Sequence, residues 1–143
     1  AMGASRNFEE WRAPGGGIHA HMITLINEFS CSDGDYFPHF FREYELGPLV
    51  GKRTWGGIVG IAGYRPLIDG GYYTVPQFTS YSLEGEWLIE NEGVIPDIEV
   101  DNPPDRMARG YDDQLDWAIN DILEKLKNDP KKLPERPGPP EER

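Results

Sequence analysis

The first sustained apolar run is Ile23-Thr24-Leu25-Ile26, continuous and β-branched as a buried strand would be. It breaks at the small and polar residues Asn27-Glu28-Phe29-Ser30-Cys31-Ser32-Asp33-Gly34-Asp35. It resumes as Tyr36-Phe37-Pro38-His39-Phe40-Phe41, the aromatic face of a helix. The pattern predicts a strand over about residues 19–27, then a helix that starts after Ser32 and ends near Glu45. Asp33 and Asp35 fall in its first turn, where negative charge complements the helix dipole. Leu46-Gly47-Pro48 supplies the stop signal.

Leu49-Val50 opens a short strand ahead of Gly51-Lys52-Arg53-Thr54-Trp55-Gly56-Gly57. From Ile58 to Val100 the pattern is β-rich, with short segments at Ile58–Ile61, Tyr72–Val75, Gln77–Tyr81 and Trp87–Glu90. Turn chemistry at Asp69-Gly70-Gly71, Glu84-Gly85 and Asn91-Glu92-Gly93 separates them. A last helix is predicted from about Asp112 to Leu126. Leu115, Ala118, Ile119, Ile122, Leu123 and Leu126 recur there at three- and four-residue spacing and form its buried face.

Three regions follow from this pattern. Residues 1–18 are polar and glycine-rich, an approach loop whose opening Ala1-Met2-Gly3-Ala4-Ser5 reads as a cloning remnant. Residues 19–127 carry the patterned part. Residues 128–143 turn to Pro, Lys, Glu and Arg and read as an extended, disordered tail, because such a segment buries too little apolar surface to offset its ordering entropy.

Composition narrows the function classes. A net charge of -11 argues against nucleic-acid partners, which need clustered Lys and Arg, and against anionic membrane surfaces. No apolar run approaches the length of a membrane span. A cytoplasmic location is the expectation. The single cysteine, Cys31, excludes an internal disulfide.

A serine at a strand-to-helix junction is chemically privileged, because the helix N-terminus offers unpaired N–H groups and partial positive charge to an oxyanion. Ser32 is therefore the candidate nucleophile, although local pattern alone favours a helix N-cap, since Ser followed by acidic residues commonly starts helices. Asp33 and Asp35 lack the further spaced carboxylates of a metal loop, and neither a metal nor a cofactor is expected. Trp55 and the glycines around it read either as a substrate-adjacent loop or as a packed turn.

Asn27–Asp35, Leu46–Gly57 and Ile89–Asp97, in that order, resemble tricorn protease and its tail-specific (C-terminal processing) peptidase relatives. Asp112-Asp113-Gln114-Leu115 is similar to the start of the last helix in the tricorn branch. The resemblance covers roughly residues 20–127. It implies an α/β fold in which a mixed sheet with flanking helices forms part of a ClpP/crotonase-like peptidase core. It also implies a serine peptidase that hydrolyses peptides through an acyl-enzyme. Ser32 takes the nucleophile's place, and the Asp33 N–H donates to the oxyanion. Glu90, the glutamate of the Glu-Asn-x-Gly-Val segment, orients the base through a second serine. Arg53, Thr54, Trp55, Gly56 and Gly57 are the candidates for a substrate-adjacent loop on the first of the two readings given above.

Two departures qualify the resemblance. The family's base is a histidine beside that second serine, far upstream, and only 31 residues precede Ser32. This pair is expected outside the chain, in a missing N-terminal part of the catalytic domain, and the chain alone is expected to be inactive. His19, His21 and His39 match no family motif. The other branch of the family uses a lysine in Thr-x-Gly-Lys; here Thr54-Trp55-Gly56-Gly57 has Gly57 in its place, and Lys52 is poorly spaced to substitute. A Ser–His–Glu relay is the better reading. The alternative is a noncatalytic peptide-binding or assembly module, and a half-domain with uncovered apolar surface is expected to form a homo-oligomer.

Overall fold

The computed structural model describes residues 1–5 and 9–138. In chain order its elements are β1 (Met2–Gly3), β2 (Trp11–Arg12), β3 (Thr24–Ile26), α1 (Asp33–Glu43), β4 (Leu49–Gly51), β5 (Gly60–Pro66), β6 (Tyr72–Phe78), β7 (Ile98–Glu99), α2 (Pro104–Met107) and α3 (Asp113–Asn128). The central sheet is parallel throughout, in the order β3-β4-β7, with Leu25 opposite Val50 and Val50 opposite Ile98. Antiparallel pairing is confined to two hairpins, β1-β2 and β5-β6. The α/β class therefore holds, with the mixture of strand directions lying between sheets.

α1 is the crossover that joins parallel β3 to β4, as parallel pairing requires. Its inner face brings Phe41 against Ile26, Leu49 and Val94, with Met22 and Ile89 packed around them. Leu49 and Val50 are fully buried. The three strands are only two or three residues long, so the predicted strand over residues 19–27 shrinks to Thr24–Ile26. At β4, Pro48 offers only its carbonyl, which accepts from Thr24 N–H, and Gly51 ends the strand at φ 129. A Cβ at Gly51 would stand 2.0 Å from the Ile26 carbonyl oxygen, so glycine permits the close approach of these two strands.

α3 lies against β3 and β4. Asp112 caps it, its carboxylate accepting from Leu115 N–H, and Gln114 reaches under the sheet to donate to the Val100 carbonyl. Its predicted apolar face is only half covered. Ala118 is buried, but Leu115, Ile119, Leu123 and Leu126 remain 43–50% exposed. Three short strands are too narrow a floor for a 16-residue helix.

The two segments predicted at 72–75 and 77–81 merge into β6 across Pro76, which sits opposite Ile61 at a register shift. Such irregularities are where a strand accommodates a residue without an N–H. No strand forms over Trp87–Glu90; Trp87 makes a single bridge to Tyr81, and Glu90 enters a turn. The approach loop contains the β1-β2 pairing, with residues 6–8 of it outside the described residues. Asn128, the first residue of the predicted tail, closes α3; residues 129–138 carry no helix or strand, and the rest of the tail lies outside the described residues.

Candidate active site

Ser32 occupies the N-cap position of α1 but does not cap it. Its backbone sits at φ 55 and ψ -113, far from the extended conformation of a capping serine, and its side chain makes no cap hydrogen bond. A non-glycine residue at positive φ outside the small left-handed region is strained by about 1–3 kcal/mol and persists only where its surroundings enforce it. The serine is exposed, so its hydroxyl is accessible. The next N–H along, that of Asp33, has no hydrogen-bond partner among the described residues and stands at the positive end of α1.

The enforcement comes from the loop after β4. Ser32 N–H donates to the Gly57 carbonyl at 3.2 Å, and Trp55 N–H donates to the Ser30 carbonyl at 2.9 Å. Asp35, with no exposed surface, accepts from Gly56 N–H at 2.8 Å and from Gly57 N–H at 3.0 Å, one with each carboxylate oxygen. The second aspartate of Asp-Gly-Asp thus ties the first turn of α1 to the Gly56-Gly57 corner. From its place in the first turn Asp35 is expected only to complement the helix dipole. The usable signal was the pair of adjacent glycines, whose free N–H groups need an acceptor when buried.

A second layer holds that corner from behind. Glu90 Oε2 accepts from Ile58 N–H at 2.6 Å and from Val59 N–H at 2.9 Å, leaving Oε1 without a partner among the described residues. Asn91 N–H donates to the Gly56 carbonyl. Gly93, at φ 68, lies against Thr54, where a Cβ would meet the Thr54 carbonyl oxygen at 2.3 Å. Val94 N–H donates to Thr54 Oγ1 at 2.7 Å, and Thr54 N–H returns a bond to the Val94 carbonyl. Asp97 accepts from Leu49 N–H and pairs with Arg42. The segment 90–97 is therefore a brace on which the loop over Ser32 is built.

The loop residues divide by orientation. Thr54 is fully buried and serves the brace, whereas Trp55 is 64% exposed. Arg53 donates to the Glu92 carbonyl. Lys52 points away, to Glu99 at 2.8 Å and Asp101 at 3.9 Å, and these carboxylates raise its pKa. The histidines are also engaged elsewhere. His19 meets the Lys132 carbonyl, His21 the Asp129 carbonyl, and His39 lies within 3.7 Å of Glu43. Cys31 is exposed, with its carbonyl accepting from Gly34 N–H.

Comparison with known proteins gives the family. The model of peptidase family S41 matches residues 4–100. Tricorn protease of Thermoplasma acidophilum is 41% identical over 125 residues, 87% of this chain and 12% of that protein. Tricorn protease homolog 1 of Streptomyces coelicolor is 44% identical over 114 residues, 79% of this chain and 11% of that protein. The crystal structure of the tricorn protease superposes with a TM-score of 0.77 at 38% identity, covering 90% of this chain and 12% of the other. The chain thus spans 11–12% of the length of these relatives. With the family model aligned over most of its described length, this chain belongs to peptidase family S41.

Proposed function

We propose that this chain carries the nucleophile of a tricorn-type serine peptidase. The observation that carries the reading is Ser32 itself, strained, exposed and uncapped, beside an unpartnered Asp33 N–H. Ser32 attacks the peptide carbonyl and passes its proton to a histidine outside this chain. The Asp33 N–H holds the oxyanion, and water hydrolyses the acyl-enzyme. Glu90 keeps one oxygen on the loop and offers Oε1 toward the relay. The engagement of Lys52 and of all three histidines elsewhere supports an external base. His39 is seven residues beyond Ser32, about 10 Å along the helix axis.

The partners on this reading are peptides, the N-terminal part of the catalytic domain and further copies of the chain. Among the described residues no helix is long and apolar enough to cross a membrane. The test uses the parent protein. A fluorophosphonate is expected to label Ser32, and Ser32→Ala is expected to lose labelling and nearly all peptide hydrolysis. Hydrolysis within a few-fold of wild type in that variant would refute the assignment. The second reading, a noncatalytic peptide-holding module, draws on the hairpin β5-β6, whose side chains are largely exposed. It predicts peptide retention with no labelling.

A further inference from the structure

The six residues between the end of β3 and the start of α1 carry the chain into the bent backbone of Ser32. Glu28, Phe29, Cys31 and Ser32 are exposed, Phe29 to 82%, so hydrogen bonds rather than side-chain packing shape this turn. Those bonds converge on Asn27. Its carbonyl accepts from Ser30 N–H at 3.0 Å, and its side-chain Oδ1 accepts from Phe29 N–H at 3.0 Å. The Ser30 hydroxyl closes the turn from the other side, donating to Asn27 Oδ1 at 3.5 Å and accepting from Asn27 N–H at 3.4 Å. An asparagine suits the place because its short amide reaches the backbone two residues on.

Ser30 carries the constraint forward by two routes. Its carbonyl accepts from Trp55 N–H at 2.9 Å, in the loop whose Gly57 carbonyl holds Ser32 N–H. Its Cβ faces the first turn of α1, where a Cβ on Gly34 would stand 3.3 Å away. Behind Asn27, the Ile26 carbonyl accepts from Lys52 N–H at 2.9 Å, so the turn starts from a fixed strand end. The Asn27 amide therefore stands between that strand end and the two contacts that aim Ser32 and the Asp33 N–H. Its action on the nucleophile runs through Ser30.

We propose that Asn27 is a positioning residue of the peptidase reaction, whose side-chain oxygen, acting through Ser30, holds the Ser32 hydroxyl and the Asp33 N–H in one fixed relation. The inference rests on the peptidase reading above, and the experiment separates the two. In the parent protein, wild type and variants are titrated to completion with a fluorophosphonate, so that kcat is expressed per reactive Ser32 and unfolded protein is not counted. Asn27→Ala is expected to lower kcat per labelled site about tenfold or more, since a misplacement of about 1 Å costs about a hundredfold. KM is expected to stay within about twofold, as it does when only an interaction of the transition state is lost. Asn27→Asp keeps an acceptor oxygen for Phe29 N–H and the Ser30 hydroxyl and is expected to return kcat to within about threefold of wild type. Asn27→Gln displaces the amide by one methylene; it is expected to lose kcat as the alanine variant does, and replaces that variant where alanine prevents folding.

Unchanged kcat per labelled site in Asn27→Ala or Asn27→Gln overturns the inference, even with a lower melting temperature, since the asparagine would then only stabilise the turn. An Asn27→Asp variant as slow as the alanine one, or a loss carried by KM alone, overturns it as well. Each of these results leaves the peptidase reading standing, because the wild type is labelled. Absence of Ser32 labelling in the wild-type protein overturns both.

Discussion

Asp35→Asn probes the joint on which the site depends. The carboxylate makes two hydrogen bonds, one per oxygen, to Gly56 N–H and Gly57 N–H, and has no exposed surface. Asparagine preserves the shape but replaces one acceptor oxygen with an NH₂ that must face a backbone N–H. One bond is lost and two donors are opposed. A hydrogen bond to a charged group is worth about 1.5–3 kcal/mol net, and the buried carboxylate's desolvation cost, removed by the substitution, offsets part of the loss. The balance is a destabilisation of about 2 kcal/mol. The effect on catalysis is expected to be larger, because the Gly57 carbonyl that fixes the Ser32 backbone would move with its N–H. A displacement of about 1 Å at a reacting group costs about a hundredfold. Urea unfolding of the chain and kcat of the parent protein measure the two quantities. Stability within about 0.5 kcal/mol of wild type together with unchanged kcat would refute the claim that Asp35 sets the loop over the serine.

Two further outcomes separate structural from chemical roles. Glu90→Gln keeps an oxygen for Ile58 N–H and Val59 N–H, so it is expected to cost about 1 kcal/mol in unfolding experiments; kcat of the parent protein is expected to fall at least about a hundredfold if Glu90 orients the base, and a fall matched to the small stability loss would leave it only a brace. At α3, the Leu115 N–H, followed by the Asn102 amide, lowers the Asp112 pKa from its ordinary 3.8. A depressed acid adds stability above its unfolded pKa and loses it as pH falls through the folded value. Helix ellipticity is therefore expected to hold down to about pH 4 and to decline below it. Asp112→Asn, a cap of similar strength, should flatten the Asp112 part of that decline, and an identical acid profile in the variant would rule out the cap as its source.

The two long helices were legible because their signals are local, whereas the four-residue α2 was not foreseen. Asp112, the spacing of Leu115 and Ala118, and the lysines at the end mark α3 within two residues of its observed ends. The Asp-Gly-Asp start and the Leu46-Gly47-Pro48 stop do the same for α1. The strands were harder to read, since their lengths depend on partners far along the chain: β3 begins only at Thr24, opposite Leu49, where β4 starts after Pro48, and no property of residues 19–23 reveals that. Ser32 could be singled out from its junction, but its backbone angle could not, because Gly57, Trp55 and Asp35 impose it jointly. Glu90 was found through the resemblance, and its double grip on Ile58 and Val59 is a three-dimensional fact. The half-bare stripe on α3 was missed for a related reason, as periodicity tells which side of a helix is apolar and not how much of it a sheet can cover.

The brace has a consequence for timing. Ser32 takes its bent backbone from Gly57, and that corner is secured by residues as far along as Val94, which the ribosome adds 62 residues after the serine. At synthesis rates of about 5–20 residues per second this is an interval of roughly 3–12 s. Until then the contacts that bend the Ser32 backbone are incomplete, so the serine's geometry is a property of the chain made through at least Val94 and not of the strand-helix junction that contains it.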